Sequence, residues 1–138
     1  MTVFAERRAA AALLILRLST AAFLALWTSI KFVKPEGALS IYEKFYKPIF
    51  QIDVPMEAFV GVGVVQALIV LLFALGAMKF WSYLAVLIMH GVSTFSTWPQ
   101  FMAMGEGHNL LYFTAVPVLA GCLALFLMRD LDRYAVGR

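Results

Sequence analysis

Residues 58–78, AFVGVGVVQALIVLLFALGAM, run between Glu57 and Lys79 without one formally charged side chain. About 20 helical residues, at about 1.5 Å each, cross a hydrocarbon layer about 30 Å thick, and this stretch is long enough. Residues 80–105 and 107–128 are equally free of Asp, Glu, Lys and Arg. A fourth apolar stretch, near Ala9 to Val33, is broken only by Arg17 and Lys31. Backbone groups in hydrocarbon must be satisfied within their own segment, so each crossing reads as a helix. The sequence therefore predicts an all-α membrane protein. It is a four-transmembrane-helix antiparallel bundle with helices about 9–33, 56–77, 80–97 and 109–128, forming one domain over residues 1–138.

Composition supports this. Charged residues make up 14% of the chain, well below the ~25% of soluble domains. Mean hydropathy is +0.88. So little chain lies outside the apolar runs that no soluble catalytic domain fits. The net charge of +3 does not indicate nucleic acid, because Lys and Arg sit at segment ends and form no patch. Cys122 is the one cysteine, which excludes an internal disulfide or a CxxC relay. Arg7 and Arg8 precede an apolar run as in a signal peptide. Arg17 interrupts that run, however, and it continues to Val33, so it reads as a retained helix.

The connections fix the topology. Gly76-Ala77-Met78 leaves a minimal turn between the second and third helices, hence an antiparallel hairpin. Trp98-Pro99 ends the third helix, since the residue before proline avoids helical geometry. Asn109 is suited to cap the fourth helix, and Pro117 should kink it. Ala21/Ala25, Gly63/Ala67 and Ala120/Ala124 have the small-xxx-small spacing that lets helices approach closely. With the N-terminus inside, Arg7, Arg8, Lys79, Arg129, Arg133 and Arg138 are cytoplasmic, and Lys31, Lys34, Lys44 and Lys47 lie outside. That excess places both termini in the cytoplasm, in keeping with a multi-pass protein of a bacterial inner membrane.

The first loop, about Lys34 to Pro55, carries Tyr42, Phe45, Tyr46 and Ile49 at helical spacing. Ser40 and Glu43 match a capping box, so a short amphipathic helix is expected near residues 40–47 with its aromatics facing the bundle or lipid.

Function should show in intramembrane polar residues. Arg17, Gln66 and His90 are all placed near the midplane by their positions along their helices, and they form the candidate ligand-binding or polar interior. Glu106, His108 and Asn109 mark an outer mouth. No histidine matches His90 in depth for bis-histidine haem, and no carboxylate accompanies it for a metal, so neither a metal site nor a catalytic set is assigned. The apolar runs contain no carboxylate, which argues against proton-coupled antiport.

The pattern Arg17-Leu18, Phe23, Lys31-Phe32 and a following proline resembles the opening of the DoxX-like superfamily, which includes DoxX and DoxD proteins. His90 late in the third helix, the turn into Asn109-Leu110-Leu111, and Gly121 in the fourth helix are similar too. The glycine usual before the lysine is replaced by Thr28-Ser29. The resemblance implies a four-helix membrane bundle and, in some members, a subunit of a quinone-linked oxidoreductase. The expected function is thus an accessory subunit of a redox or quinone-linked membrane system without a self-contained catalytic centre, with quinone or quinol as the candidate cofactor. The alternatives are a structural or assembly partner of a larger membrane complex, or a small oligomeric transporter or lipid-binding protein. Expected partners are membrane lipids and either further copies of the chain or a larger complex.

Overall fold

The computed structural model describes residues 3–103 and 109–137. Its regular structure is helical throughout, with no strand among the described residues. Helix α1 spans Val3–Val33, α2 Pro35–Phe45, α3 Lys47–Phe50, α4 Met56–Leu75, α5 Lys79–Ser96, α6 Trp98–Met102 and α7 Ala115–Leu127. Short 3₁₀ turns cover Asn109–Thr114 and Arg129–Leu131.

Local chemistry accounts for most boundaries. Helix α1 begins two turns ahead of the expected position, because Glu6, Arg7, Arg8 and the alanines from Ala9 to Ala12 are strong helix formers. Gly76 ends α4 in the left-handed conformation (φ 67°), and its N–H and that of Ala77 return to carbonyls of the last turn. Pro35 and Pro48 start α2 and α3, where a missing N–H costs nothing.

Two expectations are corrected. The loop helix starts at Pro35, so Ser40 lies inside it. Its hydroxyl donates to the Glu36 carbonyl at 3.0 Å instead of capping a helix start. The fourth helix is divided, with a 3₁₀ turn up to Thr114 and α-helix from Ala115. Pro117 then occupies the first α-turn, a position that tolerates proline, so it marks a start and not an internal kink.

Helices α1, α4, α5 and α7 form a ring in which each touches the next, and α7 returns to α1. Neighbours run antiparallel. Gly63 near the start of α4 lies against Lys31 and Phe32 at the end of α1, while Gly76 at the end of α4 lies beside Arg17. Phe80 meets Phe126, and Gly91 faces Leu119. Inward-facing residues recur every three or four positions: Ala10, Leu13, Arg17, Thr20, Leu24 and Thr28 on α1, and Phe59, Gly63, the half-buried Gln66, Val70 and Phe73 on α4. That spacing is the stripe a helix turns toward the interior of a bundle. Of the small-residue pairs, Ala21 and Gly63 are buried, whereas their partners Ala25 and Ala67 face outward.

Helices α1 and α4 are long and apolar enough to cross a membrane, by length and composition. Helix α5 is 18 residues long but carries Lys79, His90 and several Ser and Thr. The bundle's two ends differ. One, the tail end, gathers the start of α1, the α4–α5 turn and the segment after α7; the other is closed by α2, α3 and α6.

Candidate functional site

The seam of α1 forces Arg17 inward. Its side chain is 2% exposed, and an arginine cannot shed its charge, so a counter-ion is required. The counter-ion is Asp132, fully buried, which the chain delivers by folding back after α7. Arg17 Nη1 contacts Asp132 Oδ2 and donates to Tyr83 Oη at 3.2 Å. The Tyr83 hydroxyl donates to the same Asp132 oxygen at 2.6 Å, and Arg17 Nη2 donates to the Tyr134 carbonyl at 2.9 Å. Lys79 Nζ donates to the Asp132 carbonyl at 2.8 Å.

The backbone holds this cluster shut. Val136 N–H donates to the Leu75 carbonyl at 2.9 Å and Gly137 N–H to the Gly76 carbonyl at 3.1 Å, so the tail lies along the end of α4. Gly76 is needed twice. Its positive φ suits glycine, and an added Cβ would lie 2.4 Å from Ala135 Cβ and 2.7 Å from Arg17 Nη1. An exposed bridge from Arg133 to Glu6 at 2.6 Å ties the tail to the start of α1. Within the cluster, Arg17 Nε and Asp132 Oδ1 are buried without a hydrogen-bond partner among the described residues.

The expected trio is not assembled. The Arg17 guanidinium reaches the level of the α4–α5 turn at the tail end, not the midplane, because the side chain extends toward the start of its own helix. Gln66, ten residues before Gly76, is about 15 Å further along the bundle. It lies half-buried on the α4 seam between Gly63 and Val70. His90 is buried at a similar height, with its ring edge-on to Phe23 at 5.9 Å. Its Nε2 lies 3.0 Å from the Ala115 carbonyl, so this nitrogen carries the proton and donates. That bond ties α5 to the first residue of α7. Asn109 lies at the start of the 3₁₀ turn, and Glu106 and His108 lie outside the described residues.

Two pockets lie away from Gln66 and His90. One, about 280 Å³, lies in the first loop beside Tyr42, Lys47 and Asp53; the other, about 500 Å³, lies beside Lys79 and Arg129. No group of three or more metal-ligating side chains occurs among the described residues.

Sequence reasoning missed Asp132 and Tyr83. A signal for the first was available. Once the 3–4 spacing turns Arg17 inward, its counter-ion must come from nearby acids, and Glu6, Asp130 and Asp132 are the candidates at that end. A carboxylate is thus buried after all, supplied by the tail and not by an apolar run. Comparison of the chain with protein-family models, curated proteins and solved structures finds no match in any of the three.

Proposed function

We propose that the chain is an integral membrane four-helix bundle with both termini on the cytoplasmic face. In this reading it acts as an accessory or assembly subunit that docks through its apolar sides within a larger membrane complex. One observation carries the reading: the outer face of the ring is apolar, while several polar side chains are buried within the apolar core. Large apolar side chains face outward all around the ring, including Ile15 (69% exposed), Leu26 (70%), Val65 (57%), Ile88 (55%) and Leu127 (66%). Meanwhile Arg17, Thr20, Thr28, Ser82, His90, Thr94 and Asp132 are buried. Water would penalise that arrangement heavily, whereas hydrocarbon favours it. Outward-facing Trp81 lies at one end of α5 and Trp98 just past the other, about 25 Å apart by helical rise, as expected of interfacial belts.

A structural role is favoured over ligand chemistry by how the interior spends its polar groups. Arg17, Tyr83 and Asp132 bond to one another, leaving only Arg17 Nε and Asp132 Oδ1 without a partner among the described residues, and His90 bonds to Ala115. The DoxX-like resemblance makes a quinone-linked oxidoreductase the first complex to seek as a partner.

The test has two parts. The full chain should resist alkaline extraction from membranes and co-purify with a larger complex in mild detergent. Titration of the purified chain with a ubiquinone analogue should give no saturable binding. Saturable binding that disappears in His90→Ala, with the fold intact by circular dichroism, would overturn the structural reading and restore a quinone site.

A further inference from the structure

The cavity of about 500 Å³ at the tail end is lined by Lys79, Phe80, Arg129 and Asp130. We propose that it binds the phosphodiester headgroup of an anionic phospholipid, an inference that rests on the membrane reading above. The Arg129 guanidinium is positioned before any ligand arrives. It stacks on the Phe80 and Phe126 rings, 5.4 and 4.8 Å from their centroids, and Nη1 donates to the Phe126 carbonyl at 2.7 Å. A guanidinium has five N–H donors, so most remain for an oxygen anion. Lys79 spends one of its three donors on the Asp132 carbonyl. Two cations thus face one carboxylate, Asp130, and the cavity carries an excess of positive charge.

The surroundings favour a lipid over a free anion. Phe80 and Trp81 are 45% and 65% exposed beside the cations, the mixture of ring and charge found at headgroup level. Leu123 and Leu127 of α7 and Ile88 of α5 leave apolar surface on the same two helices for acyl chains. Basic pockets between helices on the cytoplasmic side bind anionic headgroups in this way, and exposed Arg7 and Arg8 add positive charge at that end. The cavity at the opposite end is unlike it. There Lys47 is paired with Asp53, and Glu43 lines the same wall, so it offers an anion nothing.

The purified full chain in neutral detergent is titrated with dioleoylphosphatidylglycerol or dioleoylphosphatidylcholine, and bound lipid is counted by native mass spectrometry. Phosphatidylglycerol should be preferred. Arg129→Gln should reduce that preference about fivefold, the value of one interfacial charge. Arg129→Lys should retain most of it, and Lys44→Gln at the far end should change nothing. Asp130→Asn should strengthen binding by a similar factor, a gain that misfolding cannot produce. Equal preference in wild type, Arg129→Gln and Asp130→Asn would overturn the site. Displacement of the lipid by millimolar inorganic phosphate would overturn the headgroup assignment in favour of a free anion. A chain that resists alkaline extraction yet shows no lipid preference refutes this site alone; one extracted by alkali refutes the membrane reading with it.

Discussion

The two ends of the bundle are closed by different chemistry. At the tail end, Arg17, Asp132 and Tyr83 form one buried polar cluster edged by the half-buried Lys79, with two backbone hydrogen bonds strapping the tail to α4. At the loop end, closure is aromatic and mostly half-exposed. Tyr42 stacks on Tyr46 at 5.7 Å and tilts against Phe59 at 6.0 Å, while Phe45 meets Tyr112 at 5.9 Å. A charged cluster is indivisible, because removing one member leaves another charge buried and unpaired. Ring contacts are separable, each contributing a modest amount that neighbours can partly replace. The same fold is therefore brittle at one end and forgiving at the other.

The largest expected effect follows from that brittleness. Asp132→Ala strands the Arg17 guanidinium and should cost about 3–5 kcal/mol in denaturant unfolding of the detergent-solubilised chain. Replacing both residues, Arg17→Leu with Asp132→Leu, removes the stranded charge and should recover most of the loss. A double variant as unstable as Asp132→Ala would show that the tail contributes through its backbone and not through its charge. Next in size is Gly76→Ala. It forces a side chain into positive φ and onto Ala135, at a cost of about 1–3 kcal/mol read from the same unfolding curves. A neutral result would mean that the tail shifts readily and that the strap is loose.

How far this contrast was legible in the sequence follows from the range of each interaction. Charge-free runs, the Gly76 turn and the Trp98-Pro99 break act within a few residues, so element order and the α4–α5 hairpin could be read directly. The Arg17–Asp132 pair joins residues 115 positions apart, and nothing local marks Asp132 as different from Asp130 two residues earlier. Helical rise placed Arg17 by its Cα. Its guanidinium sits where a long side chain reaches, toward the start of α1, and so at the tail end beside Gly76. His90 is assigned to the polar interior by its depth along the helix and the cost of a polar group in hydrocarbon, and it is buried, but the acceptor it meets, the Ala115 carbonyl, depends on where the 3₁₀ turn gives way to α7. Side-chain periodicity does not encode that register.

Between the ends, His90→Ala removes the bond to Ala115 and should cost about 1–3 kcal/mol, an intermediate value for a buried donor–acceptor pair. At the loop end, Tyr42→Ala removes two ring contacts, each worth about 0.5–1.5 kcal/mol beyond the buried area, and the hydroxyl's bond to the Ile52 carbonyl at 3.1 Å, and should still cost less than Asp132→Ala. A loss at Tyr42 matching that at Asp132 would erase the distinction between the ends.

The smallest effect is expected at the Lys47–Asp53 bridge, which lines the same pocket as Tyr42. Its hydrogen bond and then its charge attraction to Asp53 raise the Lys47 pKa above the ordinary 10.5. A raised pKa means that the folded state holds the proton more tightly. The bridge therefore stabilises fully below about 10.5 and loses its contribution as pH climbs through the folded-state value. Both groups are in water, so salt and solvent screen the attraction and most of it disappears. Unfolding midpoints of wild type and Asp53→Asn should then coincide within error at neutral pH, and stay together up to about pH 10. A clear separation that closes only at higher pH would show the bridge to be shielded from solvent. The loop end would then have an ionic closure of its own, and the contrast with the tail end would shrink to one of degree.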